Sequence, residues 1–349
     1  MPDQALDESH VATTTTSPFL PGTQIQYAWD STSLGYYKTC PRLYQYVMLD
    51  GWAGKGESIH LRFGLEYHAA LEQFDRLVAT ASFDRETALR TVVKDVYQRT
   101  ADWNPDTDSK AGHYKNRDTL VSLVVDYLDH FADDPAKTYI LNDGSPAVEL
   151  SFRFELDWGP EAGIKYIEVD GPIGTYPHAL NQPYLLCGHL DRVVDFNDQL
   201  LVMDRKTSVT TLSAYYFQQY SPSNQMSLYT LAGKIILGAP IRGVIIDAAQ
   251  VLLEKPNAFA RGFTYRTEDE LEEWLVDLKH TLAHAEHCAT ENYFPMNDTA
   301  CNNYGGCKFR GICSKSPAVR DRFLAADFEK LEPQNRWNPL SVRGPKNET

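Results

Sequence analysis

The sequence lacks any apolar run approaching the roughly 20 residues needed to span a bilayer. It also lacks a basic start followed by an apolar core, and its first 22 residues hold Asp, Glu and a run of threonines instead. These absences predict a soluble, cytoplasmic chain with no membrane association and no secretory leader. Positive charge is short too: 33 Lys and Arg face 47 Asp and Glu, for a formal net charge of -14. A generic polyanion binder is thereby excluded, because nonspecific nucleic-acid affinity comes from neutralising phosphates. Any DNA contact must be local. The stretch holding Lys308, Arg310, Lys315, Arg320 and Arg322, opposed only by Asp321, is the candidate basic patch, and an ordinary solvated face fits it equally well. With only six cysteines in 349 residues, a secreted disulfide scaffold is excluded. Three of them cluster late, which in a reducing compartment points to metal.

What is present is globular. The length suits one large domain or two ordinary ones, with 43% hydrophobic residues to build a core. Residues 185–206 hold two apolar, β-branched runs, Asp191 to Phe196 and Gln199 to Asp204, flanking Asn197-Asp198. That dipeptide supplies the positive φ angles of a two-residue turn, so the stretch predicts a β-hairpin. Alternation puts Asp191, Val193 and Asp195 on one side of the first strand, and Asp204 with Lys206 on one side of the second. If Asp191 and Asp204 lie near each other across the ladder, two carboxylates and an ammonium converge. Paired carboxylates are costly unless they share a proton or hold a cation, and hard oxygen ligands suit Mg²⁺ or Mn²⁺. A lysine beside such an ion positions a water or stabilises charge on a phosphate. Metal-assisted phosphodiester hydrolysis uses all three groups. Asp-x-Lys alone leaves a solvated charged hairpin as the alternative.

Around this hairpin the chain reads in order. Residues 1–22 are polar and predict a disordered arm. Ser31 or Ser33 caps a short helix that Pro41 interrupts or restarts beside Cys40. From Glu57 to Thr80 the spacing of Ile59, Phe63, Tyr67, Leu71, Phe74 and Leu77 predicts a helix. It carries His68, a packed residue unless that helix faces the hairpin, where it becomes a ligand. Helices over about 84–100 and 117–131 form a helical insertion. Ala147 to Leu156 predicts a strand bearing Glu149, and a further strand is expected over Ile164 to Val169. Ser223 caps a helix reaching about Leu237, stopped by Gly238 and Pro240, with Gln225 and Tyr229 one turn apart. Gly243 to Leu253 and Phe263 to Arg266 predict two more strands, and Thr267 to Glu270 is a capping box opening a helix through about His287. The last 30 or so residues look partly disordered. The order predicts an α/β fold, a mixed central sheet flanked by helices. One domain is expected over 23–314, with the helical insertion at about 84–131, a Cys-rich C-terminal extension, and a tail over 315–349.

Taken together these motifs resemble the RecB-like branch of the PD-(D/E)xK nuclease superfamily. The carriers are His68 on an early helix, Glu149 on a first strand, Gly188-x-x-Asp191 on a second, Asp204-x-Lys206-Thr207 on a third, and Gln225-x-x-x-Tyr229 on the next helix. Cys40-Pro41-Arg42-x-Tyr44 and the late trio Cys301, Cys307 and Cys313 are similar to members with an iron–sulfur cluster. These include CRISPR-associated exonucleases, the helicase–nuclease subunit AddB and phage relatives. The resemblance spans roughly residues 29–314. It implies a restriction-endonuclease-like core in which His68, Asp191 and Asp204 hold Mg²⁺ or Mn²⁺, with the backbone carbonyl of Arg205 as a further ligand. Lys206 would orient the attacking water and stabilise the transition state. Gln225 and Tyr229 would position the DNA backbone or brace Lys206. Glu149 would serve a second metal or pair with a neighbouring arginine.

Cys40, Cys301, Cys307 and Cys313 would supply the four thiolates of a [4Fe-4S] cluster and staple residue 40 to 301–313. A structural Zn²⁺ uses the same ligands and stays open, since each late gap holds five residues. Cys187 and Cys288 read as buried or helix-surface residues. The implied activity is a DNA exonuclease on single strands or DNA ends, in repair or recombination, with a helicase or recombination protein as a possible partner. The competing readings are a nuclease-derived DNA-binding or assembly subunit with dispensable catalysis, and a zinc-stapled hydrolase of small phosphoesters.

Overall fold

The structure is a computed structural model that describes residues 17–80, 83–157, 183–253 and 255–341. The strand expected over 164–169 lies outside the described residues.

In chain order the elements that build the site are β1 (Ala28–Trp29), α1 (Ser31–Thr39), α2 (Pro41–Tyr44), β2 (Trp52–Gly54), α3 (Ile59–Ala79), α4 (Arg85–Arg99), α5 (Lys110–Tyr114) and α6 (Arg117–His130). Then follow β3 (Lys137–Thr138), β4 (Val148–Glu155), β5 (Leu185–Phe196), β6 (Gln199–Ser208), α7 (Ala214–Gln218), α8 (Asn224–Leu237), β7 (Gly243–Gln250), β8 (Ala258–Tyr265) and α9 (Glu268–Thr290). The chain closes with α10 (Arg310–Cys313), α11 (Arg320–Asp327) and β9 (Phe328–Lys330).

Among the described residues one mixed sheet runs β1-β5-β6-β7-β8, with β3 and β4 also paired to β5. The β5–β6 hairpin turns at Asn197 (φ 53°) and Asp198 (φ 62°), as that dipeptide requires. β6 and β7 are parallel and joined by the α8 crossover, and every residue of β7 is buried. One face of the sheet packs Val202 and Ile246 against Met226 of α8 and Leu282 of α9. The other carries Phe63 and Leu71 of α3, Val92 of α4 and Leu123 of α6 beneath Val251. Burying each such side chain stabilises by about 1.5–3 kcal/mol. α4 and α6, expected as an insertion, are thus one layer of the fold. The result is the expected α/β architecture, a mixed sheet between helical layers. No helix among the described residues is long and apolar enough to cross a membrane.

Several local expectations change. α1 is capped by Asp30, whose side chain accepts from Ser33 N at 2.8 Å while Ser33 Oγ bonds back to Asp30 N at 3.0 Å. A reciprocal pair satisfies two orphan groups where either serine alone satisfies one. β8 begins at Ala258, five residues early, because it pairs along the whole of β7. The arm expected to be disordered is packed from residue 17: Phe19 bridges Gln26 and Leu20 is buried. The tail expected to be partly disordered is folded over 315–341. β9 pairs with β2, Phe328 stacks on Phe309 at 4.5 Å, and Trp337 Nε1 donates to Asp30 Oδ2 at 2.7 Å. A few aromatic anchors each find a partner there, which average composition hides.

Candidate metal and hydrolytic site

β5 and β6 pair as far as Arg192 opposite Met203, so Asp191 and Asp204 follow side by side at the end of the ladder. Asp191 Oδ2 accepts the backbone N–H of Arg205 at 2.9 Å and lies 3.2 Å from His68 Nδ1. His68 comes from the middle of α3, a helix capped by Ser58 and laid across β6. Asp75, two turns further along α3, takes Arg205 Nη2 at 2.6 Å, with Arg192 Nη1 at 3.7 Å. The residue between Asp204 and Lys206 therefore clamps the helix that presents His68.

Glu149 lies across from Asp191, between the paired positions Val148–Arg192 and Leu150–Leu190. Its φ of 50° is left-handed, a conformation that costs a side-chain-bearing residue about 1–2 kcal/mol. Such strain gathers at functional sites. One ligand atom each of His68, Glu149 and Asp191 lies within 4.8 Å of the other two. Among the described residues this trio is what converges, bringing Glu149, expected to serve a second metal or pair with an arginine, beside His68 and Asp191.

Asp204 is buried behind them. Lys206 Nζ sits 2.6 Å from its Oδ2 as a buried ion pair. Lys206 Nζ also donates to Gln225 Oε1 at 3.3 Å, and Gln225 Nε2 donates to Tyr229 Oη at 3.1 Å. The i, i+4 pair on α8 thus reaches the lysine as a brace.

Electrostatics follow from this packing. Burial would raise the Asp191 carboxyl, but His68 and Lys206 hold it well below the usual range. Burial pushes Asp204 up against the pull of Lys206, and the charge of Asp191 adds to the rise. Burial would lower His68 and Lys206, and the neighbouring carboxylates raise both. Imidazole nitrogen and carboxylate oxygens suit Mg²⁺ or Mn²⁺. The Asp204 carboxylate, buried beside them and paired with Lys206, offers a further oxygen ligand. The residues fit a divalent ion.

Cys40, Cys301, Cys307 and Cys313 line a single cavity between α2, α10 and the preceding turn. Cys40 Sγ accepts the backbone N–H of Asn297 at 3.3 Å. Cys187 and Cys288 are buried elsewhere, and burial pushes the Cys187 thiol up to about 12. Of the candidate basic patch, Arg310 lines this cavity. Arg320 donates to the carbonyls of Lys315 and Cys313, and Lys308 and Lys315 lie over Phe309 and Phe323.

Sequence reasoning missed Asp75 and the side chain of Arg205. The available signal was an acid seven residues after His68, on the buried side of an amphipathic helix.

The profile of the PD-(D/E)XK nuclease superfamily matches residues 30–314. No curated protein matches the chain. Among solved structures it is similar to a "Putative exonuclease" from Eubacterium rectale, at 10% identity and TM-score 0.41, over 86% of this chain and 94% of that one. A second similarity, to SSO0001, has 10% identity and TM-score 0.26, over 74% of this chain and 79% of the other. The family match covers well over half the chain and contains His68, Glu149, Asp191, Asp204 and Lys206: this protein belongs to the PD-(D/E)XK nuclease superfamily.

Proposed function

We propose that the chain is a metal-dependent DNA nuclease, an exonuclease on single strands or frayed ends that cuts by attack of water on phosphorus. The observation that carries this reading is the convergence of His68, Glu149 and Asp191 beside the Asp204–Lys206 pair. His68, Glu149, Asp191 and Asp204 would hold Mg²⁺ or Mn²⁺, with the Arg205 carbonyl as a further ligand. When bound, the ion supplies Lewis-acid stabilisation of phosphate charge and lowers the pKa of water. Lys206, held as an ammonium, stabilises the charge that develops on the phosphate and orients the nucleophile. Gln225 and Tyr229 act as positioning residues by fixing Lys206. The exonuclease preference rests on the resemblance to iron–sulfur exonucleases, supported by four cysteines around one cavity.

In that cavity the four cysteines would hold a [4Fe-4S] cluster, and a structural Zn²⁺ on the same ligands is the alternative. The role of the cluster is structural, joining the start of the domain to its end.

The test is cleavage of end-labelled single- and double-stranded DNA with and without Mg²⁺ or Mn²⁺, beside Asp191→Ala and Lys206→Ala. Metal-dependent shortening that both variants lose is expected. Equal cleavage by all three proteins rejects the site.

A further inference from the structure

The α3–α5–α6 layer brings another charge to the end of β6. Lys115, between α5 and α6, is only 5% exposed. Its Nζ reaches Thr207 Oγ1, on the residue after Lys206, at 3.4 Å and lies 5.2 Å from the centre of the Phe63 ring. Burial lowers this amine, and among the described residues no carboxylate offsets the loss. Lysines this buried are almost always paired, because an unpaired ammonium in a dry site is destabilising. Around it stand a hydroxyl on Thr207 and the exposed His60 on the first turn of α3, while the first turn of α6, directly after Lys115, is capped by Asn116. Side chains alternate along β6. Asp204 and Lys206 face α8, while Arg205 and Thr207 face α3, so Lys115 stands around the strand end from the hydrolytic groups.

We propose that Lys115 and Thr207 form a subsite for a DNA phosphate adjacent to the one being cut. The inference rests on the nuclease reading and extends it. A strand leaving the end of β6 would run along the first turn of α3, and the four-carbon stem of Lys115 lets its ammonium move off Phe63 to meet the backbone.

The test uses Lys115→Met, which keeps the stem over Phe63, with Thr207→Val and Lys115→Arg beside it. Binding of a single-stranded oligonucleotide is measured with Ca²⁺ in place of Mg²⁺ over a range of salt. Loss of one phosphate contact should weaken binding about tenfold and reduce the slope of log affinity against log salt by about 0.7. Lys115→Arg should restore the slope, and Thr207→Val should weaken binding while leaving the slope nearer that of wild type. Turnover of the oligonucleotide should fall further than turnover of the nitrophenyl ester of thymidine 5′-monophosphate, which has a single phosphate. Equal losses on both substrates, or an unchanged slope in a folded Lys115→Met protein, overturn the subsite. Wild-type protein that neither binds nor cuts DNA overturns the nuclease reading along with it.

Discussion

Arg205 and Asp75 meet at 2.6 Å beneath the sheet, with both side chains almost fully buried, and so tie β6 to the helix that carries His68. Removing one partner leaves an uncompensated charge. Asp75→Ala, which also strips Arg192 of its acid, is expected to destabilise by about 3–5 kcal/mol in urea unfolding. The double variant Asp75→Leu with Arg205→Met should recover much of that loss. If the double variant is as unstable as the sum of the singles, the clamp is not a coupled pair.

Glu149 separates strain from function. Glu149→Gly and Glu149→Ala remove the same carboxylate, but only glycine accepts φ 50° freely. Glycine should therefore be the more stable variant by about 1 kcal/mol. Both should show a smaller rise in melting temperature on adding Mn²⁺ than the wild type does. Thermal melts with and without the ion check both halves of this expectation.

The acid limb of the stability curve has a nameable contributor. Arg261 makes two bonds to Asp134, at 2.6 and 2.7 Å, and outweighs the effect of burial, so the carboxyl is held below its ordinary value. A folded pKa below the unfolded value of about 3.9 means stabilisation that is present at neutral pH and lost as pH falls below about 4. Asp134→Asn should lower stability at pH 7 and flatten the decline between pH 5 and 3. An acid limb as steep as that of wild type would assign it elsewhere.

The cysteine cavity makes a spectroscopic prediction. Anaerobically purified protein should absorb visible light and contain about four irons per chain. Cys313→Ala should be colourless and poorly soluble, whereas Cys288→Ala should keep its colour. A colourless wild type holding one zinc would replace the cluster.

Much of the fold was legible because its signals are local. The Asn197-Asp198 turn, the Thr267–Glu270 capping box and the apolar period of α3 each depend on residues a few places apart. The hairpin placed Asp191 beside Asp204 for the same reason. The meeting of His68 with Asp191 spans more than a hundred residues, and the resemblance anticipated it where periodicity could not. What stayed hidden was of two kinds. The Arg205–Asp75 clamp and the buried Lys115 are charges taken inside by tertiary packing, against the expectation that charged residues face water. The folded tail depends on single aromatic anchors spaced through charged sequence, which averages over composition dilute.

Those anchors bear on how the molecule is handled. The family match stops at residue 314, but Trp337 holds the cap of α1 and Arg336 Nη1 donates to the carbonyl of Leu49. Trimming the gene at the motif boundary would strip the seal from the first helix, and with it the shelf on which Cys40 stands. A loss of colour in such a fragment would report a missing C-terminal strap, with all four cysteines of the cavity still in its sequence.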